Sequence, residues 1–273
     1  MTGPYRLNRS LIRVSGPDAR GFLQNLLTQD LDGLDTAGVL YAALLSPQGK
    51  IVADMNVWAD ADGVVLEADT SKGPDLLRRL SMYKLRANVV LADVNDAAQV
   101  IWSDAPFADA RPDPRFANGE LGWRKLAPIA DDAPNGDEVF EAQRLGIGVP
   151  DLARDAGPDE VFALEALLEE LNGVAFQKGC FVGQENVSRM KRRATTRKKF
   201  CPVVFDGPAL PFGAPIRVGE AELGTVRSGA AGRAIALVRL DRAHTATAPL
   251  TADGRDIRLD PPPWLILPRR EAD

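Results

Sequence analysis

The chain has 273 residues, of which 45% are hydrophobic and 26% are charged, a composition typical of a folded protein and not of a disordered one. Its net charge of −5 disfavours a protein that coats nucleic acid over a broad surface, although a local basic patch stays compatible with it. One histidine and two cysteines cannot form a structural zinc site of four Cys/His ligands, or a four-cysteine iron–sulfur site, within one chain.

The first thirteen residues carry three arginines but no apolar core, so they do not resemble a secretory signal. No later run approaches the ~20 apolar residues that a membrane span needs. Two cysteines are too few for a disulfide framework and suit a reducing compartment. We therefore expect a cytoplasmic protein without membrane contact.

Residues 1–103 are predicted to form an α+β part, with helices packed on one face of a mostly antiparallel sheet. A Ser-Pro-Gln-Gly turn at 46–49 joins two of its strands into a hairpin. The predicted strands are 10–15, 38–45, 50–59, 64–68, 87–94 and 99–102, and the predicted helices begin at Asp18 and in 71–74.

Residues 104–199 form the predicted second part. Residues 104–137 are rich in Pro, Asp and Ala, so we expect irregular structure with a short strand at 122–126. Residues 161–171 are predicted to form the most regular helix of the chain, because their apolar residues recur at helical spacing and Asn172-Gly173 follow. The opposite face of that helix would carry three glutamates, including Glu165.

Residues 200–273 form the predicted third part. Glycine and proline punctuate short β-like pieces at 202–205, 216–218, 223–226, 234–239 and 257–259. This spacing favours a small β-barrel.

The segment 178–185, KGCFVGQE, holds the strongest candidate for chemistry. Cys180 lies between two glycines, with Lys178 two residues before it and a helix predicted from Gln184. A cationic neighbour and a helix N-terminus both raise the thiolate fraction of a cysteine. The alternative is a buried small residue, which is how we interpret Cys201.

Two further patterns allow a functional and a structural interpretation. On the strand from Lys50, the residues Lys50, Val52, Asp54 and Asn56 share one face, which is either a pocket wall or a half-exposed strand. Seven of the eleven residues at 189–199 are basic, which indicates either an anion site or a solvated face. No aromatic residue interrupts that run, so stacking on single-stranded nucleic acid is not indicated.

The octapeptide closely resembles the K-G-C-[YF]-x-G-Q-E signature of the YgfZ family, folate-binding relatives of the glycine-cleavage T-protein. Four other segments resemble that family in the expected order. They are ALLSPQGK at 43–50, YKLR at 83–86, LE at 164–165 ahead of GVAF at 173–176, and LGTVRSG at 223–229.

The resemblance implies a three-part ring around a central channel for tetrahydrofolate, with a C-terminal β-barrel. It implies a factor for the maturation or repair of iron–sulfur enzymes, including radical enzymes that modify tRNA, with reduced folate and iron–sulfur client or assembly proteins as partners. Cys180, Lys178 and Asp54 would carry the chemistry. The residues implied to bind folate are Asp54, Glu165, Lys50, Arg189 and Arg227.

Two alternatives remain open at the level of sequence. A folate-dependent one-carbon transferase is disfavoured, because Ala53 stands where the T-protein hairpin has one of its two acids. At the signature segment, Cys180 stands where the T-protein has an Asp-like residue. An RNA-binding module using 189–199 is disfavoured by the acidic net charge, and we expect no direct nucleic-acid partner.

Overall fold

The computed structural model describes residues 3–129, 133–193 and 196–268. The N-terminal elements are β1 (Tyr5–Leu7), β2 (Arg9–Ser15), α1 (Ala19–Gln24), α2 (Leu34–Ala37), β3 (Val39–Leu45), β4 (Ile51–Asp60), β5 (Gly63–Asp69), α3 (Gly73–Tyr83), β6 (Val90–Asp93) and β7 (Ala98–Ser103). The middle elements are β8 (Arg111–Pro112), β9 (Trp123–Pro128), α4 (Asp137–Ile147), α5 (Leu152–Asp155) and α6 (Gln184–Arg193). The C-terminal elements are β10 (Lys198–Phe205), β11 (Pro215–Val218), β12 (Ala221–Ala230), β13 (Arg233–Arg239), α7 (Leu240–Ala243), β14 (Leu250–Ala252) and β15 (Arg255–Leu259).

The N-terminal sheet has five antiparallel strands in the order β3-β4-β5-β2-β6. The predicted hairpin of β3 and β4 is confirmed, with Ala43 opposite Asp54. Helices α1 and α3 cover one face through Leu23 and Leu80. The other face packs against the rest of the molecule, so it lies where a site between the parts can form.

A second sheet has the order β1-β7-β9-β8. Its strands come from both sides of the boundary predicted at 103, because β7 pairs with β1 and with β9 and not with the N-terminal sheet. Trp102 on β7 is fully buried and meets the Phe140 ring edge to face at 5.4 Å. Helix α4, which carries Phe140, was not predicted from the sequence.

The helix predicted at 161–171 is wrong, because the segment forms a series of turns. Leu167 has a φ of 64°, outside the helical region. Two of its carbonyls bond to other elements: Val161 O accepts from Ile51 N at 2.9 Å, and Glu165 O accepts from Phe200 N at 3.1 Å. Its leucines are buried in the shared core. Their spacing therefore reflects which residues are buried and does not indicate a helix.

The predicted C-terminal barrel is confirmed as a closed barrel in the order β10-β13-β12-β11-β14-β15. Its strands begin at Lys198, two residues before the predicted boundary. Within the described ranges, no helix combines the length and the apolar character needed to cross a membrane.

Candidate functional site

A cavity of about 350 Å³ lies between the N-terminal sheet and the α4–α5 region. Asp54 and Asn56 on β4 line it, so this part of the predicted polar face does form a pocket wall. Tyr41 and Phe140 add aromatic surface, and Arg9 adds positive charge. The cavity therefore combines an acid, a cation and apolar rings, which suits a small polar ligand with an aromatic part.

Asp54 is an acid of the cavity wall that keeps hydrogen-bonding capacity. Tyr41 donates its hydroxyl to Asp54 Oδ2 at 2.9 Å, and within the described ranges Asp54 forms no ion pair. Burial raises the pKa of Asp54 above its usual value, and the nearby Asp151 carboxylate raises it further. Burial also raises the pKa of Tyr41 well above its usual value. Tyr41 thus stays protonated and orients Asp54, which can accept hydrogen bonds from a ligand.

Several other charged groups near this wall pair with one another. Arg124 is 1% exposed and forms ion pairs with both Glu67 and Asp113. Glu67 also accepts from Trp58 Nε1 at 2.8 Å. Although burial opposes ionisation of Asp113, the Arg115 and Arg124 guanidiniums hold its pKa well below the usual value. This network fixes the shape of the cavity.

A second set of hydrogen bonds and ion pairs connects the cavity wall to the barrel. Arg144 on α4 is buried, forms an ion pair with Glu141 and donates to Ser228 Oγ on β12 at 2.8 Å. Asp155 accepts from the Ser228 backbone N–H at 2.9 Å. Burial raises the pKa of Asp155. These contacts hold α4 and α5 in place against the barrel.

Lys178 of the signature segment does not contact the thiol. Its Nζ donates to the carbonyl oxygens of Gln24, Leu27 and Gln29 at 2.8, 2.7 and 2.7 Å. An ammonium has three N–H donors, so all of them are used. Burial lowers the pKa of Lys178 to about 8. The predicted pairing of this cation with Cys180 is therefore not made, and the lysine instead holds the segment against the end of α1.

Cys180 is exposed on the loop that leads to α6. Two glycines allow this loop to lie directly on the hairpin turn: a Cβ on Gly183 would lie 2.7 Å from Ser46 O, and Gly183 and Gly49 have φ of 83° and 80°. Asn186 Nδ2 donates to Gln48 O at 2.9 Å. Cys201, in contrast, is fully buried, as predicted, and burial raises its pKa to about 12.

Three of the residues expected to bind folate lie together outside the cavity. Lys50 Nζ donates to Glu160 O at 2.8 Å and lies 3.4 Å from the Phe162 ring centroid. Arg227 forms an ion pair with Glu160. Glu165 accepts from Phe162 N at 2.9 Å, and burial raises its pKa. Lys50 and Asp54 are four residues apart, or about 13 Å along an extended strand.

The predicted basic run at 189–199 is divided by the fold. Arg189 bonds to Asn186 on α6, and Lys191 forms an ion pair with Glu169. Lys199 is buried and pairs with Glu170 at 2.5 Å. Residues 194 and 195 of the run lie outside the described ranges. The run therefore does not form one continuous basic surface.

The sequence analysis missed the cavity's buried charge network. Glu67 carried a usable signal, since it is an acid within the apolar strand VVLEA and such an acid needs a partner when buried. Its partner Arg124, in the irregular region, had no comparable signal. Within the described ranges, no group of three or more His, Cys, Asp or Glu residues is placed to hold a metal ion.

Comparison with known proteins defines the fold first. The structure is similar to the glycine cleavage system aminomethyltransferase T from Bartonella henselae, with a TM-score of 0.75, 15% identity, and coverage of 97% of this chain and 86% of that one. The family model described as CAF17, C-terminal beta-barrel domain, matches residues 197–266. The predicted fold class is thus confirmed as that of the aminomethyltransferase T-proteins, with a closed C-terminal barrel.

Sequence relatives identify the family. The mouse protein named iron-sulfur cluster assembly factor IBA57, mitochondrial, is 30% identical over 91% of this chain and 77% of its own length. The human protein of that name is 30% identical, over 75% of this chain and 67% of its own length. The chain belongs to the IBA57 family. The relative from Neurospora crassa is 29% identical over 76% of this chain, and the match spans only 55% of that protein.

These names refine one prediction and overturn another. The family shown is IBA57, whereas the resemblance indicated YgfZ, a name that none of these relatives carries. The prediction of a cytoplasmic protein is wrong, since the fungal, mouse and human relatives are all named as mitochondrial. Free thiols suit any reducing compartment, so they could not distinguish these locations.

Proposed function

We propose that this protein is a folate-binding accessory factor in the assembly or maturation of iron–sulfur proteins. Membership of the IBA57 family, whose mouse and human members are named iron-sulfur cluster assembly factors, supports the process. One observation supports the ligand: a half-buried carboxyl, Asp54, faces a cavity, accepts a hydrogen bond from the Tyr41 hydroxyl and forms no ion pair within the described ranges.

The chemistry of a reduced folate matches this cavity. Its amino-pyrimidinone edge presents two parallel N–H donors, which a carboxylate can accept together. Its aminobenzoyl ring suits contact with Tyr41 or Phe140, and its glutamate carboxylates suit Arg9 or the half-exposed Arg154. We assign the pteridine to Asp54 and the tail to the arginines.

Calorimetry with tetrahydrofolate tests the ligand assignment. Asp54→Asn should weaken binding by about 1.5–3 kcal/mol, because it removes a charged acceptor. Asp60→Asn is the matched control on the same strand, since Asp60 pairs with Arg13 at 3.2 Å and does not line the cavity. Unchanged affinity in Asp54→Asn would remove the assignment.

A pH series sharpens that test. An ionised carboxylate accepts both pteridine donors, whereas a protonated one accepts fewer. Because burial raises the pKa of Asp54, affinity should begin to fall, on acidification, at a higher pH than for an ordinary aspartate. Asp54→Asn should lack that fall, and a fall that persists in the variant would point to another group.

A Glu165 variant tests which of two places holds the pteridine: the cavity at Asp54, or the cluster outside it that contains Glu165. If the pteridine lies at Asp54, Glu165→Gln should leave affinity nearly unchanged. Loss of affinity in Glu165→Gln without loss in Asp54→Asn would place the pteridine in the cluster of Lys50, Glu160 and Arg227 instead.

The thiol is the second part of the proposal. Cys180 is exposed, so a protein partner can reach its thiol. The loop around it is fixed by the hydrogen bonds of Lys178 and Asn186. Cys180→Ser should keep folate affinity but lower the activity of four-iron enzymes in cells, with Cys201→Ala as the buried-thiol control. Full function of Cys180→Ser would show that the thiol is dispensable. The finer proposal that clients include tRNA-modifying enzymes rests on the YgfZ resemblance and is tested by modified-nucleoside levels in the same cells.

One-carbon transfer is the alternative function, and the T-protein fold together with Asp54 favours it. Ala53 opposes it, because this residue is 3% exposed and packs in an apolar cluster where the T-protein hairpin has a second acid. Turnover of tetrahydrofolate with an aminomethyl donor protein would establish the transferase.

A further inference from the structure

An exposed apolar corner lies at the end of α3 and on β6, on the N-terminal sheet. Its members are Met82, Leu85 and Val90, which are 65%, 89% and 60% exposed, together with Tyr83. These four are half of the eight large apolar side chains that are exposed within the described ranges, and they fall within nine residues. Such clustering indicates a contact surface. We call it the β6 corner.

Leu85 is held in a conformation that few leucines adopt. It follows the last residues of α3 with a φ of 42°, a position where helices usually place glycine. The turn is closed by Ala87 N donating to Lys84 O at 2.8 Å. A strained backbone that presents an apolar side chain to solvent is costly, so it points to a use for that side chain.

The backbone beside this corner is an open sheet edge. Within the described ranges, strand β6 pairs with β2 alone, from Ser15 opposite Val90 to Ile12 opposite Asp93. Val94 N donates to Leu11 O at 3.0 Å, and this fixes the alternation of the antiparallel ladder. The N–H and C=O groups of Leu91 and Asp93 therefore point away from β2. Among the described residues nothing bonds to them.

The charge around this edge is opposite to that of the whole chain. Residues 73–96, which include β6, contain four basic residues and three acids, whereas the chain has a net charge of −5. Of these acids, Asp75 pairs with both Arg78 and Arg79. Lys84 and Arg86 have no ion pair within the described ranges, and Arg86 is exposed. Two cations thus precede the open edge in the chain, whereas Asp93 lies at its far end.

We propose that the β6 corner binds an extended acidic segment of a partner protein as an added strand. The outward groups of Leu91 and Asp93 would bond to the backbone of that segment, which is how exposed sheet edges bind peptides. Leu85 and Val90 would contact its apolar side chains, and Lys84 and Arg86 its acids. This surface does not depend on the folate proposal.

A synthetic heptapeptide of alternating Glu and Val, labelled with a fluorophore, is the probe. Fluorescence anisotropy should show saturable binding to the full chain. Leu85→Gly keeps the turn and removes the side chain, and Arg86→Glu reverses one charge; each should weaken binding about tenfold. Arg217→Glu on the barrel, an equal change of charge at a half-exposed site, should not.

Backbone pairing is tested directly by amide hydrogen exchange. Leu91 and Asp93 should exchange quickly in the free protein and slowly with the peptide, while Ala92, already bonded to β2, changes little. A peptide N-methylated at alternate residues should not bind. Equal binding of the N-methylated peptide, or no slowing at Leu91 and Asp93, would overturn the proposal.

Two other occupants give distinguishable results. Pairing of β6 with a second copy would appear as a concentration-dependent dimer in sedimentation that Leu85→Gly abolishes, with no peptide binding. Attachment to anionic lipid would appear as binding to phosphatidylserine vesicles that the peptide does not displace. Either result would overturn the proposal of a protein segment.

Discussion

The Asp54 cavity and the signature segment at 178–185 both present polar groups, but they hold them in different ways. In the cavity wall, cations face acids, and Arg124 lies between Glu67 and Asp113. In the signature segment, Lys178 is held by backbone carbonyls, and Cys180 is left exposed. The cavity is therefore shaped before any ligand binds, whereas the signature segment is anchored by its lysine and leaves its thiol accessible to a partner.

Arg124→Ala should cause the largest loss of stability among these variants. It tests whether the buried charges hold the cavity wall together. It leaves Glu67 and Asp113 buried with less compensation, and breaking a buried pair costs about 3–5 kcal/mol. Chemical denaturation measures the free energy of unfolding. Arg217→Ala, whose pair with Glu222 is half-exposed, should cost no more than about 0.5 kcal/mol. A loss of similar size in both variants would contradict the role of burial.

Lys178→Met should give an intermediate effect. Three carbonyls lose their donor, which costs about 1–3 kcal/mol, while methionine keeps most of the side-chain volume. Hydrogen exchange should increase at residues 24–29. Lys191→Met, in a partly exposed pair with Glu169, is the matched control and should change stability by less than about 1 kcal/mol. If Lys178 instead activates the thiol, its loss would slow alkylation of Cys180 without loss of stability.

Cys180→Ser should give the smallest effect on stability, within about 0.5 kcal/mol, because the side chain is exposed. Cys201→Ser should cost about 1–3 kcal/mol, since it places a hydroxyl in a fully buried site. A thiol reagent on the native protein should react quickly with one cysteine and slowly with the other. Equal rates would contradict the contrast between the two thiols.

Much of the fold could be predicted because its strands are short, alternating and separated by clear turns. The hairpin of β3 and β4 is an example, since the Ser-Pro-Gln-Gly turn fixes its register. The failure at 161–171 has a general cause. Buried leucines alternate there with partly exposed glutamates, which imitates the pattern of an amphipathic helix. Bonds from Ile51 N to Val161 O and from Phe200 N to Glu165 O take the place of two helical bonds. Helix α4 lay beyond an irregular region and was missed.

The candidate site could be predicted only in part, because side-chain partners are set by distant residues. Asp54 was found from strand alternation and does line the cavity. Lys178 was expected to pair with its neighbour in sequence, but the carbonyls about 150 residues earlier, on 24–29, take all its donors. Arg124 carried no local signal, because its partner Glu67 lies on another element 57 residues away. Arg115 and Arg144 do have acids nearby in sequence, Asp113 and Glu141, but those pairs were not recognised from the sequence.

The turn segment at 161–171 has a consequence for cooperativity. It accepts from Ile51 N of the first part and Phe200 N of the barrel, and its own Glu170 pairs with Lys199 at 2.5 Å. Separating the barrel from the rest of the chain would leave Lys199 without that carboxylate and would expose leucines of the segment to water. We therefore expect the separated barrel to be less stable than the barrel within the whole chain.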